Sequence, residues 1–175
     1  MTPHLDRPPT LAEWARHGGS VTIHGRRLFV IDAGPRDADI ILILHGYPTC
    51  SYDYWRVLTD LTANYRVILH DYLGFGLSDK PRDYSYSLIE QADMALALWE
   101  SLDARRAHLV AHDYGTSVAT EILDRCHRGD DRIEMMAIAG FADESIRVQE
   151  PQFVGNRILV PDADVLSLSL EGEAE

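Results

Sequence analysis

Short aliphatic runs recur along the chain and are separated by stretches of mixed polarity. Runs in which nearly every position is apolar are typical of strands buried on both faces of a sheet. The four clearest are IILIL at 40–44, RVILH at 66–70, HLVAH at 108–112 and IEMMAIAG at 133–140. We predict a buried strand at each of them.

Stretches with helical spacing lie between these runs. Apolar residues recur at this spacing at Trp55, Leu58 and Leu61. Ser87 and Glu90 have the spacing of a capping box, a pattern that opens helices. The predicted helices cover residues 52–61, 87–102 and 115–127.

The order of these elements predicts the fold class. Two short β-prone runs, 20–24 and 28–31, come first, and Gly25 between them predicts a hairpin turn. Buried strands that alternate with helices then imply a parallel sheet covered on both faces. We therefore predict an α/β fold with a doubly wound, mostly parallel sheet over residues 1–141.

The last part of the chain differs in composition. Residues 142–175 contain eight acidic residues and two arginines. We predict a divergent acidic tail there, either disordered or forming a weak strand at VLSLSL (165–170), where apolar and polar residues alternate.

Charge and cysteine content exclude several classes of function. The formal net charge is -12, from 28 acidic and 16 basic residues, so phosphate backbones and anionic membranes are repelled. The first residues have no apolar core of a signal peptide, and no apolar run is long enough to span a bilayer. Cys50 and Cys126 have no metal-site spacing and are expected to be reduced thiols. We predict a cytoplasmic protein without nucleic-acid or membrane partners, metal or cofactor; the oligomeric state stays open.

The segment AHDYG (111–115) carries the main chemical signal. A buried strand leads into Asp113 and a helix follows at once, with small residues at Ala111 and Gly115. This is the layout of a nucleophile elbow, in which a strained strand-to-helix turn presents the nucleophile, with Asp in place of the more familiar Ser. The alternative is that Asp113 only caps the following helix.

Two further segments favour the elbow. HGYP (45–48) follows a buried strand, where the backbone N–H of Tyr47 can face a developing oxyanion together with the N–H of Tyr114. The alternative for His45-Gly46 is a simple turn. DYLGFGLSDKP (71–81) is a glycine-rich loop that lacks the Lys-Ser/Thr pair of a P-loop.

With these three segments in this order, the sequence resembles the α/β-hydrolase family from about Trp14 to about Phe141. Within that family, HGYPTCSYDYW, DYLGFGLSDKP and AHDYG are similar to the epoxide hydrolases and haloalkane dehalogenases, and to the mesoderm-specific transcript proteins of the same group. The resemblance covers only the N-terminal part of such a domain, so we expect an incomplete domain, without the cap and the last strands.

The resemblance implies a role for each site residue. Asp113 is the nucleophile that attacks an electrophilic carbon of a small apolar substrate and forms an alkyl ester. An aspartate is already ionised at pH 7, whereas a serine needs a base first. The N–H groups of Tyr47 and Tyr114 form the oxyanion hole. Supporting positions are His45, Gly46, His112 and Gly115.

The sequence departs from the family at the second step. The family hydrolyses the ester with a late His, but the last histidine here is His127. We expect none of His45, His70 and His112 to replace it. Asp143 and Glu144 are weak candidates for the acid partner. We therefore predict that the 175-residue chain does not turn over.

The same resemblance bears on the substrate. Dehalogenases clamp halide with an Asn and a Trp where this chain has Tyr47 and Tyr114, so an epoxide-type hydrolase is favoured. The alternatives are a haloalkane dehalogenase-like hydrolase and a non-catalytic fragment that binds through an exposed sheet edge. A serine esterase is disfavoured, because Ser117 lies inside the predicted helix and Ser78 in the glycine-rich loop.

Overall fold

A single six-stranded sheet organises the protein in the computed structural model, which describes residues 7–141. The strand order across the sheet is β1-β2-β4-β3-β5-β6. The strands are β1 (Gly19–Ile23), β2 (Arg26–Ala33), β3 (Ile40–Leu44), β4 (Arg66–His70), β5 (Arg106–His112) and β6 (Glu134–Phe141). Every strand predicted within these residues is present.

Strand direction divides the sheet into two parts. β3 pairs in parallel with β4 and β5, and β5 pairs in parallel with β6. β1 and β2 form an antiparallel hairpin, and β2 continues the sheet antiparallel to β4. His24 and Gly25 make the hairpin turn with positive φ angles of 48° and 75°, the conformation that two-residue hairpin turns require.

Helices cover both faces of the sheet, as the alternating pattern predicts. They are α1 (Leu11–Trp14), α2 (Trp55–Thr62), α3 (Leu88–Ser101) and α4 (Tyr114–His127). On one face, Leu96 of α3 and Ile122 of α4 pack into a core with Leu42 of β3. On the other face, Trp14 and Leu58 pack with Ile41 and Ile43, which flank Leu42 in β3. The doubly wound arrangement is confirmed.

The sequence reasoning missed one helix, the short α1. Thr10 caps it, and Glu13 returns a bond to the Thr10 backbone, so a full capping box is present. The Thr-x-x-Glu spacing is typical of a helix start, but the prolines before it favoured an irregular N-terminal segment. The predicted acidic tail at 142–175, with its strand at 165–170, lies outside the described residues.

The sheet places the candidate site at one edge. Because β3, β4 and β5 are neighbours and parallel, their carboxyl ends meet at the same side, where ligands bind in open α/β sheets. The segments that follow Leu44, His70 and His112 therefore converge. Across residues 7–141, none of the helices has the length and apolar character needed to cross a membrane.

Candidate active site

The turn between β5 and α4 is strained. Asp113 sits between the two elements with φ 49° and ψ -118°, a backbone conformation that costs about 1–3 kcal/mol for a residue other than glycine. Its side chain makes no capping hydrogen bond to the helix. The usual side-chain cap, a bond from the N–H of the second or third helical residue, is therefore not formed.

Small residues allow this turn to form. A Cβ added at Gly115 would lie 2.4 Å from the carbonyl oxygen of Leu44 and 2.8 Å from that of His45. Cβ atoms do not make non-bonded contacts this short. The first turn of α4 can therefore lie against the end of β3 only with glycine at this position. Ala111, at the other flank, is fully buried.

The loop after β3 closes over the turn from the opposite side. A Cβ at Gly46 would lie 2.8 Å from His112 Nδ1 and 2.9 Å from the Cβ of Asp113. This close approach brings the backbone N–H of Tyr47 to 2.8 Å from Asp113 Oδ2, to which it donates a hydrogen bond. The structure thus brings together the two segments that the sequence places 66 residues apart.

The backbone amides set the charge state of Asp113. Hydrogen bonds from the N–H groups of Tyr47 and Tyr114 lower the pKa of this carboxyl below its ordinary value, with a smaller contribution from His112. The side chain is exposed to solvent. Asp113 is therefore an ionised carboxylate, accessible from outside, that faces the two amides expected to form an oxyanion hole.

His45 holds the loop in this position. It is fully buried; its Nδ1 lies 2.8 Å from the carbonyl oxygen of Gly46, and its Nε2 accepts a hydrogen bond of 3.1 Å from the N–H of Tyr72. These partners fix the neutral tautomer with the proton on Nδ1. Because both ring nitrogens are occupied, His45 cannot activate water; burial also lowers its pKa.

The other histidines lie in different settings. His70 is buried, and burial lowers its pKa to about 3. His112 is partly exposed and its ring lies against Gly46. His127 ends α4, and the 14-residue helix places it about 20 Å from Asp113. The two acids considered as partners, Asp143 and Glu144, lie outside the described residues.

The two residues that supply the amides also contribute aromatic rings, which contact Phe75. The Tyr47 side chain is 65% exposed, and its ring meets that of Phe75 edge-on at a centroid distance of 6.1 Å. Phe75 also contacts the Tyr114 ring. The Tyr114 hydroxyl donates a hydrogen bond of 3.2 Å to the carbonyl oxygen of Tyr86, so its proton is directed to the protein backbone.

Asp71 is a part of the site region that sequence reasoning did not single out. It follows β4, is 1% exposed, and its two carboxylate oxygens accept hydrogen bonds from the backbone N–H groups of Ser51 and Leu77. An acid placed directly after an entirely buried strand was the available signal. Asp71 begins the glycine-rich loop DYLGFGLSDKP (71–81), in which the glycines are the more obvious pattern.

The two serines considered as nucleophiles have other surroundings. Ser78 is buried; its hydroxyl donates to the carbonyl of Asp71 and accepts from the N–H of Phe29. Ser117 is exposed within α4, after the turn that holds Asp113. Neither hydroxyl lies at the strained turn.

A sequence profile described as the alpha/beta hydrolase fold matches residues 39–157, more than half of the chain. The match includes the Tyr47 loop, the glycine-rich loop and the Asp113 turn. The chain belongs to the α/β-hydrolase fold family. The family resemblance predicted from those three segments is confirmed.

Relatives within the family agree with the predicted group. The mesoderm-specific transcript homolog protein of Bos taurus is 43% identical over 130 residues, which are 70% of this chain and 39% of the relative. A haloalkane dehalogenase of Mycolicibacterium paratuberculosis is 34% identical over 145 residues, 80% of this chain and 46% of the relative.

Solved structures give the same picture. A loop variant of the haloalkane dehalogenase DbeA from Bradyrhizobium elkanii aligns with a TM-score of 0.63 and 31% identity, over 70% of this chain and 39% of that one. The chain thus spans less than half the length of the relatives it matches. These relatives support membership of a hydrolase family.

Proposed function

We propose that Asp113 is the nucleophile of an α/β-hydrolase reaction that proceeds through an alkyl ester. The observation that carries this proposal is the hydrogen bond from Tyr47 N–H to Asp113 Oδ2 at a strained turn. A carboxylate that merely capped α4 would accept a hydrogen bond from the second or third N–H of the helix. Asp113 makes no such bond and instead accepts one from Tyr47, which belongs to a different loop.

The proposed first step is an attack on carbon. Because Oδ2 is bound by Tyr47 N–H, we assign the attack to Oδ1. With an epoxide, the new bond joins Oδ1 to a ring carbon, that carbon's bond to the ring oxygen breaks, and the released alkoxide takes a proton from solvent. Oδ2 then becomes the ester carbonyl oxygen and keeps the hydrogen bond from the Tyr47 N–H; we assign the Tyr114 N–H to the same oxygen.

The proposed second step requires a base. Water that attacks the ester carbon drives negative charge onto Oδ2, where the two amides stabilise it, but the water must first lose a proton. His45 has both ring nitrogens occupied, His70 is buried, and His127 is distant. We therefore propose that residues 1–175, by themselves, stop at the ester.

The surroundings favour an epoxide-type substrate over a haloalkane. A halide clamp of the dehalogenase type needs side-chain N–H donors, and this chain has Tyr47 and Tyr114 at the corresponding positions. The Tyr114 hydroxyl is already bonded to Tyr86. The haloalkane alternative is supported by the dehalogenase relatives. In either case the aromatic rim of Tyr47 and Phe75 suits a small apolar electrophile, and we place the reaction in the cytoplasm.

Intact-mass measurement tests both points. The 175-residue protein is incubated with styrene oxide or with 1-chlorohexane, and the adduct and released product are followed over time. We expect one equivalent of styrene oxide to add without continued release of diol, and slower addition of the chloroalkane. Asp113→Asn, which keeps the shape but removes the charge, should form no adduct.

Each contrary result has a defined meaning. An equal adduct yield with Asp113→Asn would disprove the nucleophile. Diol release over many turnovers would disprove the arrest at the ester. Faster reaction with the chloroalkane than with styrene oxide would replace the epoxide-type substrate by a haloalkane.

A further inference from the structure

Asp71 connects two loops that otherwise leave the sheet from different strands. Its Oδ1 accepts a hydrogen bond of 2.7 Å from the N–H of Ser51, in the segment that follows β3. Its Oδ2 accepts one of 2.7 Å from the N–H of Leu77, in the glycine-rich loop that follows β4. Both loops are therefore anchored on one buried carboxylate.

The atoms around this carboxylate are closely packed. A Cβ at Gly76 would lie 2.0 Å from Asp71 Oδ2 and 2.8 Å from the Cβ of Cys50. Gly76 also has a φ of 45°, in the left-handed region that favours glycine. Between residues 7 and 141, no lysine or arginine forms an ion pair with Asp71. The two amides therefore provide the hydrogen bonds that a buried charge requires.

The next residue links this anchor to the oxyanion hole. The N–H of Tyr72 donates to His45 Nε2 at 3.1 Å, and His45 Nδ1 donates to the carbonyl oxygen of Gly46 at 2.8 Å. The carbonyl of Gly46 and the N–H of Tyr47 belong to the same peptide group. Its oxygen is thus fixed by His45 while its N–H meets Asp113 Oδ2, so the orientation of this peptide depends on where β4 and its loop hold His45.

We propose that Asp71 is a positioning residue for the oxyanion hole: by holding Ser51 and Leu77 together, it fixes the loop that presents Tyr47 N–H to Asp113. The inference rests on the proposed role of Tyr47 and Asp113 in the reaction. Asp71 does not contact the substrate in this scheme, and it acts only through backbone groups of the two loops. The alternative is that it stabilises the fold without influence on Asp113.

Asp71→Asn separates these possibilities. Asparagine keeps the shape but replaces one acceptor oxygen by an NH₂ donor, which would face a backbone N–H and repel it. One loop is then released, and Tyr47 N–H loses its alignment with Asp113. Because hydrogen bonds from the amides lower the pKa of Asp113, the variant should raise that pKa toward the ordinary aspartate value.

The measurement is a carbon-13 NMR titration of the Asp113 carboxyl in the full chain. Asp79→Asn is the matched control: Asp79 lies in the same loop and accepts a bond from the Arg27 N–H, but it is not bonded to Ser51. We expect the Asp113 pKa to rise in Asp71→Asn and to stay unchanged in Asp79→Asn. An unchanged Asp113 pKa in folded Asp71→Asn would overturn the inference.

A second measurement needs no variant and holds even if Asp71→Asn fails to fold. Amides that open in one event exchange with deuterium at one free energy. If Asp71 couples the loops, the amides of Tyr47, Ser51 and Leu77 should have protection factors within about threefold of each other. Protection of Tyr47 that differs from the other two by more than about tenfold would contradict the coupling.

These readouts are independent of the reaction itself. An Asp113 adduct in the wild-type protein, with no change of its pKa in Asp71→Asn, would leave the proposed function in place and remove the role of Asp71. A raised pKa in the variant, with no adduct in the wild type, would support the positioning role and disprove the function.

Discussion

Two buried histidines at the carboxyl ends of neighbouring parallel strands are used in opposite ways. His45 follows β3 and has a partner for each ring nitrogen, Gly46 and Tyr72. His70 ends β4 and, within the described part of the chain, has a partner for neither. Both are almost completely excluded from solvent, so burial alone does not explain the difference.

The contrast extends to the regions around them. The loops above the sheet pair their buried polar groups closely, at Asp71 and Ser78 as well as His45. The rings of Tyr72 and Trp99 pack against His70, and Tyr72 Oη and Trp99 Nε1 likewise have no hydrogen-bond partner among residues 7–141.

The difference indicates where precise orientation matters. Unpaired buried polar atoms are tolerated where the side chain contributes mainly volume, as with the His70 ring against Tyr72 and Trp99. The loops that present backbone amides to Asp113 need fixed directions, and hydrogen bonds supply direction where apolar packing does not. Substitutions in the two regions should therefore differ in the size of their effect on stability.

The largest effect is expected at the contact between the strained turn and β3. Gly115→Ala should destabilise the protein by about 4 kcal/mol, because the new methyl group meets backbone atoms of Leu44 and His45 that cannot move aside. Gly19→Ala is the control, since nothing lies within 4 Å of its added Cβ. Urea unfolding measures both, and equal stability of the two variants would contradict the close packing of the turn.

Replacement of each histidine by phenylalanine tests the comparison directly. His45→Phe should cost about 3 kcal/mol, because the Tyr72 N–H loses its partner and the Gly46 carbonyl is left with the weaker Thr49 bond. His70→Phe should change the free energy of unfolding by less than about 1 kcal/mol, since it removes polar atoms that are unpaired. Similar losses in the two variants would break the distinction between the regions.

The pH dependence of stability should follow His70. Its pKa is lowered from 6.5 to about 3 in the folded protein, so the unfolded chain takes up a proton that the folded chain does not, and stability falls as the pH drops below 6.5. Between pH 7 and pH 5 this contributes a loss of about 2 kcal/mol. His70→Phe should lack this part of the loss in urea unfolding at the two pH values; an identical loss would contradict it.

The smallest effect is expected at the Tyr114 hydroxyl. Tyr114→Phe removes its bond to the Tyr86 carbonyl and should cost about 1 kcal/mol. The rate of adduct formation at Asp113 should stay the same, because the Tyr114 backbone N–H is retained. A large fall in that rate, measured by intact mass, would show that the hydroxyl contributes to the reaction.

Much of the fold and part of the site follow from local patterns. Aliphatic runs marked the strands because strands buried on both faces leave few polar positions, and Ser87 with Glu90 marked the start of α3. AHDYG predicted the strained turn because small residues flank Asp113. The roles assigned to Asp113, Tyr47 and Tyr114 in catalysis remain predictions.

What the sequence did not reveal depends on contacts between distant segments. Asp71 meets Ser51, 20 residues earlier, only after β3 and β4 pair side by side, and no local pattern encodes that pairing. The hydrogen bonds of His45, and their lack at His70, likewise arise from how the loops pack. The sequence therefore did not indicate that His45 and His70, the same residue type at similar strand ends, have different surroundings.

Peptide mapping of the styrene oxide adduct tests the central claim most directly. Trypsin cleavage after Arg106 and Arg125 releases a peptide, residues 107–125, that contains Asp113 together with Glu121 and Asp124. If the carboxylate held against the two amides is the nucleophile, fragmentation should place the whole label on Asp113. A label on Glu121, Asp124 or Cys50, with Asp113 unmodified, would contradict the account.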